Sequence, residues 1–242
     1  GKSLPDHQVD HIISAPICAN TLVLRTLLDE LVNFGCHERL SKRIDYYLTS
    51  DCASAFFQRV LSRFEKDFGK ELVREVFGLI TVSKNGLSEN EIIEIISLDN
   101  QIEWSQLYCA IRNHLTIRNG LINFGHQFIR NAVTSRYADS LLHMRKEIIN
   151  SFKDEHTGRA YDELPYQYYK LGDKGSLNTY LINFKVFDYL YKKDAYELGN
   201  YWKFLSPYSL MQYLFVESDS APKIVRLFYV GVFARDIMGD YA

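Results

Sequence analysis

The clearest pattern in the sequence is a pair of short apolar–polar alternations, at 115–118 and 121–124, on either side of Asn119-Gly120. This dipeptide readily adopts the two positive φ angles that a two-residue type I′ turn requires. The pattern therefore predicts a β-hairpin in a chain whose other patterns are helical.

Three helices are predicted before the hairpin. Ser88 and Glu91 have the spacing of a capping box, and Leu87 and Ile92 that of a hydrophobic staple, so a helix should begin at Ser88. An apolar stripe with helical spacing predicts the next helix: Trp104, Leu107, Tyr108, Ile111 and Leu115. An earlier stripe, 72–80, predicts a helix that stops near Asn85-Gly86. Three helices followed by a hairpin predict a winged helix.

Helical spacing also marks the chain before residue 70. We expect a short helix from Pro5 to Ser14, then a longer one capped by Asn20 or Thr21 that ends at Gly35 in the left-handed conformation. Apolar residues at helical spacing predict two further helices, at 40–48 and 56–68.

Beyond the hairpin, helices are expected from about His126 to Tyr137 and over 141–152. From Arg159 onward the chain is rich in tyrosine, and the pattern breaks at Gly172, Gly175, Lys192-Lys193-Asp194 and Ser206-Pro207. Short helix pairs of this kind suggest the beginning of an α-solenoid. The tyrosines 166, 168, 169, 189 and 191 are predicted to be core residues, as are Trp104 and Trp202.

The predicted fold class is mainly α: a helical bundle, a winged-helix domain with one β-hairpin, and α-solenoid-like helix pairs. The predicted domains are a helical domain at 1–69, the winged helix at 70–138, and a helical linker and cap at 139–242.

Composition narrows the function classes. A net charge of -2 means that the chain has no excess of positive charge with which to bind a polyanion or an anionic membrane. The cysteines Cys18, Cys36, Cys52 and Cys109 lie far apart, which favours a reduced intracellular chain in which they act as small apolar residues. No apolar run is long enough for a membrane span and the first residues form no signal peptide, so we expect a sequence that begins inside a longer protein.

Sequence motifs for catalysis are missing. The chain has no G-x-x-x-x-G-K-[ST] phosphate loop, no G-x-G-x-x-G, no H-E-x-x-H and no G-x-S-x-G. Asp154, Asp162 and Glu163 could pair as acid and base, but such a pair is expected by chance among 30 acidic residues. We therefore expect this chain by itself not to be an enzyme.

One motif and its surroundings resemble a known family. Phe124-Gly125-His126-Gln127, directly after the hairpin, is similar in placement to the Met-His-Asp motif of STAND-class NTPases, which include the NACHT and NB-ARC families. The segments Ala19–Gly35 and Val82–Glu91 resemble the helix after the ATPase core and part of the winged helix in NACHT-type proteins. Three later segments resemble the region before the tetratricopeptide repeats of nephrocystin-like members: Asp162–Pro165, Leu190–Lys193 and Tyr201–Leu205.

The resemblance implies a non-catalytic regulatory segment of a signalling ATPase. In such proteins an upstream P-loop domain, absent here, holds ADP beneath the helical and winged-helix domains, and exchange for ATP swings the winged helix away. His126 would sense the phosphate, and Asn20 and Thr21 would contact the nucleotide, although Thr21 stands where many relatives carry proline. Gln127 departs from the usual acidic residue.

The same resemblance implies the cofactor and partners. ADP or ATP would be bound in the full-length protein, and none tightly by this chain alone. The partners would be the upstream P-loop domain, the downstream repeats and other proteins, with oligomerisation on activation; neither a membrane nor a nucleic acid is expected. The location implied is cytoplasmic, with association with the cilium.

Two alternatives stay open. In a winged-helix nucleic-acid binder, the helix Glu103–Leu115 would enter the major groove and Arg118 would touch phosphate, but that helix offers only Arg112 as a cation. A protein-interaction scaffold that works without nucleotide would share the same architecture. A histidine after a strand is also often a purely structural residue.

Overall fold

A computed structural model describes residues 3–97, 101–206, 210 and 222–239. The fold is mainly α, as predicted, with one small two-stranded sheet among the described residues. The chain forms two compact units: the first comprises Gly1–Thr81 and Asn85–Leu141, and the second comprises Val82–Lys84 and Leu142–Ala242. The predicted helical domain falls in the first unit, as does the predicted winged helix except for Val82–Lys84, and the three-domain division stays a prediction.

The first unit opens with five helices and two 3-10 turns. Their bounds are α1 Asp6–Ser14, a 3-10 turn Pro16–Ala19, α2 Thr21–Asn33, a 3-10 turn His37–Arg39, α3 Leu40–Leu48, α4 Ala53–Phe68 and α5 Lys70–Val82. The core gathers the apolar faces of these helices, with Leu27, Ile44 and Phe56 fully buried. Asn20 caps α2, as expected, because its side-chain oxygen accepts hydrogen bonds from the Leu22 and Val23 amides.

The rest of the first unit contains the hairpin. Its elements are α6 Glu89–Ile95, α7 Gln101–Ile111, a 3-10 turn Arg112–His114, β1 Leu115–Arg118, β2 Leu121–Phe124 and α8 Gln127–Arg136. The capping box of Ser88 and Glu91 is confirmed. The type I′ turn is also confirmed, since Asn119 and Gly120 have φ of 53° and 78°.

A third backbone segment joins the hairpin. Leu87 exchanges two backbone hydrogen bonds with Ile122, at 3.2 and 2.7 Å, so it pairs with β2 on the edge opposite β1. Further along, α8 packs against α4, where the Tyr137 hydroxyl donates to Glu65 at 2.8 Å and Arg136 pairs with the same carboxylate. The hairpin is therefore held to the rest of the first unit by Leu87, which pairs with β2, and by α8, which follows β2 and packs against α4.

Three local predictions are wrong. Gly35 does not end α2 in the left-handed conformation, because Phe34 leaves the helix in an extended conformation with its ring beside Arg43. Leu115 is not helical, because it pairs with Phe124 in the sheet. Gly175 does not break the chain but lies inside a helix, because Asp173 caps that helix one turn earlier through the Ser176 amide.

The second unit is built from longer helices. Their bounds are α9 Ala138–Phe152, which starts in the first unit, α10 Gly158–Leu171, α11 Lys174–Leu181, α12 Phe184–Leu205, α13 Lys223–Phe233 and a π-helical turn Ala234–Met238. The predicted break at 192–194 appears as a kink, with Asp194 at φ −157° and ψ 92°. Gly172 ends α10 in the left-handed conformation, whereas Pro207 lies outside the described residues.

The second core is rich in aromatic side chains, as predicted. Trp202, Phe187 and Phe233 are fully buried in it, and the partly buried tyrosines pack around them: Tyr168, Tyr169, Tyr189 and Tyr191. Trp104, in the first unit, is likewise completely buried. Each unit therefore contains one buried tryptophan.

Candidate functional site

His126 lies between β2 and α8, directly ahead of the first residue of the helix. Its backbone is extended, its side chain is exposed, and the imidazole makes no capping hydrogen bond to the helix. The preceding Gly125 amide donates to the His114 carbonyl at 2.9 Å, which fixes the backbone there. An exposed imidazole at a helix N-terminus can donate a hydrogen bond to an anion, and the helix dipole favours the anion's charge.

Asn20 and Thr21 lie at the N-terminus of α2, also in the first unit. The Asn20 side-chain oxygen accepts from the Leu22 amide at 3.0 Å and from the Val23 amide at 3.4 Å. That oxygen therefore serves as the helix cap. Thr21 is exposed as the first residue of the helix. The contact of these two residues with a nucleotide stays a prediction.

A buried polar cluster in the first unit was missed from the sequence. Glu30 accepts hydrogen bonds from the Tyr47 hydroxyl at 2.6 Å and from Arg63 Nε at 2.9 Å, and it forms a second contact with Arg63. Arg43 lies 3.9 Å from the same carboxylate. Burial and the Glu30 charge raise the pKa of Tyr47 far above its ordinary value. These four residues are called the Glu30 network below.

The signal for the Glu30 network was a carboxylate inside an apolar helical face. Glu30 follows Leu27 by three residues, and both side chains are buried. A carboxylate in that position needs a buried cationic partner.

His114 is a buried histidine in the turn before the hairpin. Its ring lies edge-on to Phe64 at 5.9 Å between centroids. Burial lowers the pKa of His114, and the charge of Glu30 opposes that shift.

The second unit contains its own buried ionic cluster, centred on Lys84. The Lys84 ammonium contacts Asp162 at 2.5 Å and Glu197 at 2.6 Å, while Lys193 contacts the other Asp162 oxygen at 2.6 Å. Tyr201 donates to Glu197 at 2.6 Å. These five residues are called the Lys84 cluster. Burial works against the charged form of Asp162, but hydrogen bonds from Lys193 and Lys84 hold its pKa below the usual value.

Neighbouring polar side chains hold the backbone of the same segment. The Lys84 amide donates to Glu163 at 3.0 Å, and Gln167 donates to the Val82 carbonyl at 2.9 Å. Glu163 also pairs with Arg159 at 2.6 Å. Asp162 and Glu163 are thus engaged in ion pairs, and Asp154 is exposed.

The surface of α7 and the hairpin was the candidate nucleic-acid interface. Trp104, Leu107 and Ile111 are buried, and the Trp104 indole donates to Glu89 at 2.7 Å. Among the described side chains of α7, the turn after it and β1, Glu103, Arg112 and Arg118 are exposed. Two arginines beside a glutamate are fewer cations than the basic stripe typical of a nucleic-acid binder.

The cysteines are the remaining reactive side chains considered from the sequence. The four cysteines are free; Cys18 is buried, but Cys52 and Cys109 are exposed and so do not act as small core residues. Within the described ranges, no group of His, Cys, Asp and Glu side chains could hold a metal ion. No helix in that part of the chain has the length and apolar character needed to cross a membrane.

Comparison with known proteins agrees with the division into units. The family model described as "Nephrocystin 3, helical domain" matches residues 7–137, close to the limits of the first unit. A TPR repeat-containing protein of Dictyostelium discoideum is 30% identical over 216 residues, which is 84% of this chain and 13% of that protein. Nephrocystin-3 of Homo sapiens is 32% identical over 153 residues, 57% of this chain and 11% of that protein. No solved structure matches the chain significantly.

The fold and the family model together define the class of protein. It is a helical domain with a short β-hairpin, and the carboxylates of the Glu30 network and the Lys84 cluster form ion pairs. The chain belongs to the nephrocystin 3 helical domain family. It spans 11 to 13% of the length of the curated relatives named above.

Proposed function

We propose that this chain is a regulatory, non-catalytic segment of a NACHT-type STAND ATPase. It closes over ADP held by an upstream P-loop domain and relays the nucleotide state to helical repeats that follow. The observation that carries the proposal is the exposed His126 imidazole at the start of α8, directly behind the hairpin. ADP or ATP is then a cofactor of the whole protein, and the winged-helix interpretation of 70–138 is part of the proposal.

The chain covers only 11 to 13% of the length of each relative, and this supports treating it as one segment of a larger protein. A cytoplasmic, cilium-associated location and oligomerisation on activation belong to the same proposal, since they derive from the same resemblance.

The test replaces His126 in the full-length protein. His126→Leu removes a hydrogen bond to the ADP phosphate, and a hydrogen bond to a charged group contributes about 1.5–3 kcal/mol. We expect release of a fluorescent ADP analogue, followed by stopped-flow, to accelerate about 10-fold or more. His143→Leu is the matched control, because the His143 side chain is 72% exposed and lies on α9. An unchanged release rate in the His126 variant would remove His126 from the switch.

The isolated chain should not hydrolyse ATP. Nothing in its sequence can cradle a triphosphate together with magnesium. A phosphate-release assay on the purified 242-residue chain should give the buffer rate. ATP hydrolysis that copurifies with the chain, and that is lost when the chain is removed from the sample, would contradict the proposal of a non-catalytic segment.

A scaffold that works without nucleotide is the second candidate function. The observation in its favour is an exposed apolar groove beside α2. The two functions separate in one comparison: binding of a partner protein to the full-length chain would depend on ADP or ATP in the first case and not in the second.

A further inference from the structure

The C-terminal half of α2 borders an open apolar groove of about 470 Å³. Its lining residues are Ser3, Leu4, Leu28, Leu31, Val32, Phe34, Gly35 and Leu40. Val32 is 65% exposed and Leu28, one helical turn before it, is 40% exposed. A volume of this size lies in the range of ligand pockets, so apolar side chains here meet water where a ligand's apolar groups would fit.

A second, charged pocket of about 140 Å³ adjoins the groove, because Phe34 lines both. The other residues that line it are Glu30, Asn33, Arg43, Arg63, Lys66 and Asp67. Three of these side chains are cations and two are carboxylates, which leaves the pocket with one excess positive charge.

The cations of the charged pocket differ in what they already bind. Arg63 is committed, since it holds Glu30 through two contacts and Asp67 at 3.4 Å. Arg43 donates one hydrogen bond to the Tyr47 hydroxyl at 2.9 Å through one terminal nitrogen, and its side chain is 23% exposed. Lys66 is exposed, and no ion pair is seen for it within the described residues. Arg43 and Lys66 therefore retain donors for an incoming anion.

The guanidinium of Arg43 is held in place for such a role. It stacks over the Phe34 ring at 5.4 Å and the Tyr47 ring at 4.8 Å. Glu30, at 3.9 Å, offsets part of its charge, but Glu30 is already paired with Arg63. A preorganised cation loses less side-chain entropy on binding.

We propose that the groove and the charged pocket together bind an acidic amphipathic helix of a partner protein. Two apolar side chains one turn apart would fill the groove beside Leu28 and Val32, and a carboxylate about one turn further, roughly 5 Å along the helix, would reach Arg43 and Lys66. Charge complementarity selects an acidic over a basic helix, and the shared Phe34 sets the short spacing between the apolar and the acidic side chains.

The probe is a fluorescein-labelled, alanine-based helical peptide of about 16 residues with two leucines one turn apart and a glutamate in the next turn. Binding to the full chain is measured by fluorescence anisotropy and located by amide chemical shifts of isotope-labelled protein. We expect saturable binding, with shift changes confined to the groove and the charged pocket. Replacing the peptide glutamate by glutamine should weaken binding about 10-fold.

Matched protein variants separate the two halves of the surface. Lys66→Glu should weaken binding at least about 10-fold, and Val32→Asp should abolish it, because a carboxylate in the apolar groove would be desolvated. Arg118→Glu, in the exposed hairpin, and Ile13→Asp, where Ile13 is 70% exposed, should bind like the wild type. Both Lys66 and Val32 are exposed, so thermal unfolding should be similar for all four variants.

Several results would overturn the proposal. They are no saturable binding to the wild type, equal affinity for the glutamate and glutamine peptides, shift changes elsewhere on the chain, or unchanged binding by Val32→Asp. Decanoate is the competitor that tests the other amphipathic acid chemistry. Tighter binding of decanoate than of the peptide would assign the site to a fatty-acid-like ligand and not to a protein helix.

Discussion

Glu30 is the residue on which the polar interior of the first unit depends. The residue is 4% exposed, and its carboxylate neutralises Arg63 while it accepts a hydrogen bond from the Tyr47 hydroxyl. A buried pair of this kind contributes little net stability relative to an apolar pair, but loss of one partner strands the other charge.

Glu30→Gln should therefore destabilise the first unit by up to about 3–5 kcal/mol, because Arg63 would be left with only the exposed Asp67, at 3.4 Å, as a counter-charge. In a Trp202→Phe background, urea unfolding followed by Trp104 fluorescence measures this, since Trp104 is completely buried in the first unit. Glu94→Gln, at an exposed position of α6, is the control and should change little. A loss below about 1 kcal/mol for Glu30→Gln would show that the Arg63 side chain reaches water by local unfolding of a few residues.

His114 should make the stability of the first unit depend on pH. Burial lowers its pKa from the ordinary 6.5 in the folded state. As pH falls below about 6.5, the unfolded chain therefore takes up a proton that the folded chain resists, and stability falls until the folded pKa is passed. In His114→Phe this part of the pH dependence should disappear, which unfolding midpoints at several pH values between 7 and 5 would show as a flatter profile. Equal profiles would mean that His114 is protonated equally in both states.

Sequence reasoning at this scale succeeded where the cause is local. The Asn20 cap and the Ser88–Glu91 box involve residues at most three apart, so their spacing could be seen in the chain. Glu30 and Arg63 are 33 residues apart, and nothing in the sequence joins them before the helices pack.

Gly86 is the critical position among the elements around the hairpin. It has a φ of 97°, and a Cβ there would overlap the Ile122 carbonyl oxygen, which lies on the strand paired with Leu87. Glycine is therefore required on two counts, the positive φ and the close backbone approach.

Gly86→Ala should destabilise the first unit by about 1–3 kcal/mol from backbone strain, and further through the displaced β2. Gly35→Ala is the control, because Gly35 has no positive φ and open space around its Cα. Calorimetric melting of the two variants should give a clearly lower Tm only for the first. Equal Tm values would mean that the hairpin can move away from Leu87 without loss.

The helices and the hairpin were largely predictable, because turn-forming residues and the period of apolar positions are properties of short stretches of sequence. The hairpin, α6 and the kink in α12 lie where the sequence placed them. The end of α2 does not lie where the sequence predicted it, because Phe34 takes its conformation from contact with Arg43 on α3. That contact depends on tertiary packing, which overrides the preference of a following glycine.

At the scale of the whole molecule, the Lys84 cluster anchors residues 82–84 in the second unit. Its hydrogen bonds join positions 78 and 113 residues apart, from Lys84 to Asp162 and to Glu197. No pattern in the sequence could assign Val82–Lys84 to a unit that otherwise starts at Leu142.

Asp162 should make the second unit sensitive to acid. Its pKa is held below the ordinary 3.8, so its ion pairs stabilise the fold above about pH 4 and are lost as pH falls through the lowered value. In a Trp104→Phe background, buried Trp202 reports this unit, and its unfolding midpoint should fall steeply between about pH 5 and 3. Asp162→Asn should flatten that dependence and lower stability at pH 7, whereas Asp154→Asn, at an exposed position, should do neither. Parallel acid profiles for wild type and Asp162→Asn would exclude the cluster as the cause.

The placement of residues 82–84 decides how the protein can be divided for expression. A recombinant piece cut where the family match ends, at residue 137, keeps Lys84 and the Val82 carbonyl but discards Asp162, Glu197 and Gln167, which bind them. Such a fragment would carry an orphaned ammonium and a short unsupported loop between α5 and Leu87. A complementary piece starting at Leu142 would hold Asp162 and Glu197 without the Lys84 ammonium that lies between them, so the two halves are best produced as one polypeptide or mixed together to reassemble.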